Sequence, residues 1–174
     1  MPNLSMALRT AFVALALVAT PFANAEPAAV EAFAQPVLLG MQLSAKHGQR
    51  RGAIADTQLA CVQALSPSAF YKVVGEVMAV ALTSPENAAA DRFFSTPVGQ
   101  KYLKLGLLQI YPAVGEQAPE PLPQFSDSEY RELERFAATA TGQKLIARQV
   151  MQSASAKQLY SVRIRELMDQ CRAE

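Results

Sequence analysis

The stretch TSPENAAADRFFSTPVGQKYLK, residues 83–104, returns in altered form 43 positions later as SDSEYRELERFAATATGQKLIA, residues 126–147. The two align without gaps. Seven positions are identical: Glu86/Glu129, Arg92/Arg135, Phe93/Phe136, Thr96/Thr139, Gly99/Gly142, Gln100/Gln143 and Lys101/Lys144. Thr83 with Glu86, and Ser126 with Glu129, have the spacing of a capping box, in which a hydroxyl residue and a Glu three positions later open a helix. Each unit therefore predicts a helix running to its Phe, a break at Thr96 or Thr139, and a further helical stretch through Gly-Gln-Lys. Pro97 fits a second helix start, whereas Ala140 predicts a smoother continuation in the second copy. The expectation is two helix-turn-helix units packed as a pair, with Phe93 and Phe136 anchoring the core. Gly99 and Gly142 would admit another backbone at close range.

Around the repeat the chain also reads as helix. No stretch alternates cleanly between apolar and polar residues, and no Asn-Gly or Asp-Gly turn marks a hairpin. Residues 28–47 predict a helix interrupted at Pro36, since proline removes a hydrogen-bond donor, and Gly48 and Gly52 end it. Residues 53–65 form the next helix. Ser66 as cap and Pro67 as first residue open another, with Phe70, Val73, Val74, Val77, Met78, Ala81 and Leu82 on its apolar stripe. Residues 112–126, with Pro112, Gly115, Pro119, Pro121 and Pro123, read as a Pro-rich connector. From about Ala156 the last helix places Tyr160, Ile164, Leu167, Met168 and Cys171 on one face. The expected fold is all-α, a compact bundle of six to seven helices.

Residues 1–25 have the organisation of a secretory signal peptide: Arg9, the apolar run AFVALALVA from Ala11 to Ala19, Pro21, and Ala23-Asn24-Ala25 as the cleavage site. The apolar run is far shorter than the roughly 20 residues that span a bilayer. The expectation is export to the periplasm with cleavage after Ala25, leaving residues 26–174 as a single helical domain with no integral membrane segment. The full chain carries 16 Lys+Arg against 15 Asp+Glu. Loss of Arg9 brings the two into balance, and an electroneutral domain argues against a generic grip on nucleic acid. In an oxidising compartment Cys61 and Cys171 are expected to pair as a disulfide. A link across 110 positions contributes about 4–5 kcal/mol in loop-entropy models.

The segment Phe93-Phe94-Ser95-Thr96-Pro97-Val98-Gly99-Gln100-Lys101 resembles the signature of a bacterial exported family called domain of unknown function 2059, in which an acidic helix leads into Phe-Tyr-x-Ser-Pro-x-Gly-Gln-Lys. The likeness runs from about Leu82 to Tyr111. In the weaker second copy Ala137 and Ala138 replace Phe94 and Ser95. The resemblance implies an exported helical protein and implies no catalytic residues.

Little in the sequence suggests catalysis. The single His47 stands near a helix end, where it complements the helix dipole, and neither a Gly-x-Ser-x-Gly elbow nor a Ser-x-x-Lys motif is present. Asp127, Glu129, Glu132 and Glu134 crowd one helix start, where acids are stabilised by the dipole and normally solvated. One His and two Cys make no dedicated zinc site, and Gly-Gln-Lys lacks the glycines of a phosphate loop. No cofactor or metal is expected. The reading by elimination is a non-catalytic periplasmic protein-binding domain, for example an immunity-type inhibitor of an envelope-acting toxin or hydrolase. Tyr111, Val114, Leu122 and Phe125 are its candidate surface. The alternatives are an envelope-maintenance protein or a helical carrier of an apolar ligand, the carrier requiring a cavity between the two repeat units; an envelope hydrolase, requiring acids converging in a cleft, stands third.

Overall fold

The computed structural model describes residues 27–173, so the expected signal peptide lies outside the described residues. Within them the chain is all-α and forms a helical bundle. Seven helices have nine residues or more: α1 (Ala28–Arg50), α2 (Asp56–Ala64), α3 (Tyr71–Ala81), α4 (Ser84–Phe94), α5 (Pro97–Ala113), α6 (Asp127–Ala137) and α8 (Ala154–Ala173). Between α6 and α8 sits α7 (Ala140–Gly142), a single turn continued by a π turn over Gln143–Ala147. The short α7 takes the helix total to eight, one beyond the expected six to seven.

The spine is α1, about 35 Å long at 1.5 Å per residue. It packs against α2, α3, α4 and α5. Ala29, Ala32, Ala34 and Ala45 are fully or almost fully buried along it, and their small side chains let neighbouring helices approach. Pro36 does not interrupt this helix, contrary to the sequence expectation. An interior proline costs about 3 kcal/mol, and burial of Ala32, Ala34, Leu38 and Met41 around it offsets that cost. The N–H of Ala29 in the first turn donates to Asp91 Oδ1 of α4 at 3.0 Å, so a tertiary contact meets one of the donors that a helix start leaves open.

The second helix begins at Asp56, three residues later than expected. Its last turn is held by Gln42, whose amide donates to the carbonyls of Val62, Gln63 and Leu65 at 3.3–3.4 Å. Ser66 is extended as expected, but its hydroxyl meets Ser68 Oγ instead of capping. Pro67–Phe70 is then a 3₁₀ turn, and the α-helix starts only at Tyr71. The expected stripe is buried: Phe70, Val73, Val74, Val77, Met78 and Leu82 all lie in the core.

Cys61 and Cys171 are disulfide-bonded, with Cα atoms 5.5 Å apart, and join α2 to α8. Close to this link Gln58, buried, donates to the carbonyl of Met168 at 3.0 Å. Further along α8, Arg163 Nε donates to the carbonyl of Ala69 at 2.9 Å.

The connector is shorter than expected. Helix α5 carries Pro112 in its last turn and ends at Ala113, so the non-helical stretch is 114–126. Gly115 turns the chain at φ +77, a left-handed conformation suited to glycine at a helix end. Ion pairs of Glu116 with Arg50 and Lys46, and of Glu120 with Lys104, tie the connector down.

Candidate functional site

The repeat forms two matching units, and its identical residues do matching work. Each capping box is closed: Glu86 Oε2 accepts from the Thr83 N–H at 2.7 Å, and Glu129 Oε2 from the Ser126 N–H at 2.7 Å. Thr96 donates to the Phe93 carbonyl at 2.8 Å and accepts from the Gly99 N–H at 3.0 Å; Thr139 does the same with Phe136 and Gly142 at 2.7 and 3.0 Å. Gln100 and Gln143 donate to the carbonyls of Phe94 and Ala137. Gly99 and Gly142 are required by close approach, because a β-carbon at either would collide with the carbonyl of its own unit's Phe. The approaching backbone is thus the preceding helix of the same unit. Arg92 and Arg135 sit in the last turns of α4 and α6, favourable to the helix dipole.

Between the units the contacts are reciprocal. Lys101 of the first pairs with Glu129 of the second at 2.8 Å, and Lys144 of the second pairs with Glu86 of the first at 2.7 Å. Phe93 and Phe136 stack with ring centroids 3.8 Å apart and planes 2° from parallel. Residue i on j, and j on i, is the contact pattern of a two-fold interface, here within one chain. Each Glu is held well below the ordinary carboxylate range, at about 2, by the Lys across the interface first and by its cap N–H second. Contrary to the expectation for Ala140, Thr139 breaks the helix as Thr96 does, with φ −71 and ψ 161 against −79 and 157. The two Phe rings occupy the space between the units, where the carrier reading placed its cavity.

The copies diverge afterwards. Where α5 continues to Ala113, its counterpart ends in the π turn at Ala147, and Gln149 takes a left-handed φ of 47 before the turn at Val150–Gln152. At that divergence an apolar groove opens. One lobe, of about 630 Å³, lies between α1, α5, the end of the second unit and the start of α8; a second, of about 570 Å³, continues along α1 towards Ile54 and Met168. Pro36, Val37, Lys157 and Tyr160 line both. Among the described residues, no carboxylate lines either lobe, and Lys157 is the one charged side chain in their walls. Tyr160 is buried and its hydroxyl has no hydrogen-bond partner; burial pushes its phenol up to about 12, so it stays protonated at neutral pH. Burial also raises the phenol of Tyr102 in the first lobe.

Two glycines in the walls, Gly40 of α1 and Gly106 of α5, have ordinary helical backbones and no atom within 4 Å of where a β-carbon would stand. Glycine inside a helix costs about 0.5–1 kcal/mol relative to alanine. Neither is required by close packing, and both leave the groove open. Gly75 of α3 is likewise uncrowded but lines neither lobe.

The structure divides the four residues proposed from sequence as a binding surface. Val114 lines the second lobe. Phe125 packs against the core and Tyr130, with Lys101 over its ring at 5.2 Å, and Tyr111 is half-buried. Leu122 alone of the four is largely exposed. His47 is exposed, and its Nδ1 lies 3.3 Å from a guanidinium nitrogen of Arg50. Among the described residues, no group of three or more His, Cys, Asp and Glu could hold a metal ion, and no helix is long and apolar enough to cross a membrane. Sequence reasoning missed the groove, although Pro36, Gly40 and Gly106 were visible as helix-unfriendly residues at otherwise helical positions. Comparison with protein-family models, curated proteins and solved structures found no match to the chain.

Proposed function

We propose that this is an exported, non-catalytic binding protein whose ligand site is the groove along α1. The single observation that carries the reading is the groove itself: mostly apolar walls, two uncrowded helix glycines and one charged side chain among the described residues. Its lobes are of a size common for small-ligand sites, about 300–1,000 Å³. The absence of acids and of His47 from its walls favours binding over acid–base hydrolysis. The Cys61–Cys171 disulfide, together with the signal-like residues 1–25, supports an oxidising compartment.

Fluorescence of a neutral apolar dye such as Nile red tests this. The expected result is saturable binding at one site per chain, lost when Gly106→Leu fills the first lobe. Equal dye binding by the protein and by the Gly106→Leu variant would place the site elsewhere and end this reading.

A further inference from the structure

We infer that the ligand is a long-chain amphiphile with one anionic head, its head at Lys157 where the two lobes meet and its chain in the first lobe; this rests on the binding reading above. Three observations converge. The first lobe, of about 630 Å³, is walled mainly by apolar side chains of α1, α5 and the second unit and has room for a hydrocarbon chain that starts at Lys157.

Charge then selects the head. Lys157 lines both lobes, is exposed, and forms no ion pair with any described residue. With no carboxylate in the walls, its ammonium has no internal competitor for a ligand anion. A cationic head would meet only repulsion there.

The third observation is Tyr160. Its side chain lies where the lobes meet, nine-tenths or more buried, with its hydroxyl unpartnered. The hydroxyl is covered in the ligand-free protein, so a carboxylate at Lys157 offers that donor its missing acceptor once the groove wall moves aside. A protonated phenol and an ammonium together are a donor pair suited to an anion.

The test compares hexadecanoate, hexadecanol and hexadecyltrimethylammonium, each below its micelle concentration, as displacers of the bound dye from the full-length mature protein. Hexadecanoate is expected to bind at least about tenfold more tightly than the alcohol, a difference of about 1.4 kcal/mol, with the cation weakest. Lys157→Gln should remove that preference, and Tyr160→Phe should weaken hexadecanoate while leaving hexadecanol unchanged. Gly106→Leu should abolish binding of the dye itself and, by calorimetry, of hexadecanoate, since its side chain would stand in the first lobe. Equal displacement by all three ligands, unaltered in Lys157→Gln, would overturn the anionic head and leave the groove reading standing. Dye binding that none of the three displaces would overturn the amphiphile, and failure of the unsubstituted protein to bind the dye would take the groove reading with it.

Discussion

At the residue scale, Gly99 and Gly142 show why a short motif can be kept twice in one chain. Each lets the start of one helix press against the carbonyl of the preceding Phe, so that Thr96 or Thr139 can bond both sides of the turn. Gly99→Ala or Gly142→Ala puts a methyl group into backbone that cannot yield, and each is expected to cost about 2–3 kcal/mol in urea unfolding, the upper part of the overpacking range. Tyr160 behaves oppositely. Its unpartnered buried hydroxyl contributes nothing to folding, so Tyr160→Phe is expected to leave the stability of the ligand-free protein unchanged or raise it by about 1 kcal/mol. A loss of more than that in the same experiment would mean the hydroxyl has a partner in the free protein. The capping Glu, Thr and Gly roles were legible in sequence. The target of each Lys was not, because its partner lies 28 or 58 positions away.

At the element scale, the paired helix-turn-helix units are held by two swapped ion pairs and one ring stack. Phe93→Ala is expected to destabilise by about 3–5 kcal/mol, the range for large buried aromatics, and to loosen the second unit along with the first. Both interface glutamates have folded pKa values depressed from 4.5 to about 2. Depressed acid pKa values contribute stability that is fully present above the unfolded value and is lost as pH falls towards the folded one. Stability is therefore expected to fall as pH drops from about 4.5 to about 2. Combining Glu86→Gln with Glu129→Gln should flatten that slope in acid unfolding monitored by circular dichroism. Lys101→Met should flatten it only in part, since Glu86 keeps Lys144. Propensity located most of these helices, but it misjudged Pro36, where buried neighbours on α1 outweigh the lost hydrogen bond, and Ser66, whose hydroxyl bonds Ser68.

At the scale of the whole molecule, the disulfide closes a loop across 110 positions. With α2 and α8 joined by Cys61–Cys171 and by Gln58, the last helix forms one wall of the groove. Reduction, or Cys61→Ala with Cys171→Ala, is expected to lower stability by about 4 kcal/mol, which for a domain of this size corresponds to a fall in Tm of about 10 °C. Differential scanning calorimetry with and without reductant measures it. A wall of the groove tied by a crosslink should also make apolar-dye binding weaker in the reduced protein.

The sequence by itself determined the helical class, the two capped units and the residues that build them, because capping, helix punctuation and close packing at glycine act over a few positions. It also singled out the cysteine pair, since only two cysteines are present. Tertiary structure alone decided that the two units face each other across stacked Phe93 and Phe136, and that Glu86 and Glu129 answer to the opposite unit's lysines. It alone decided that the cavity lies beside the pair, where the second unit stops short. A groove is the space several helices leave between them, and no local pattern in any one of them encodes it.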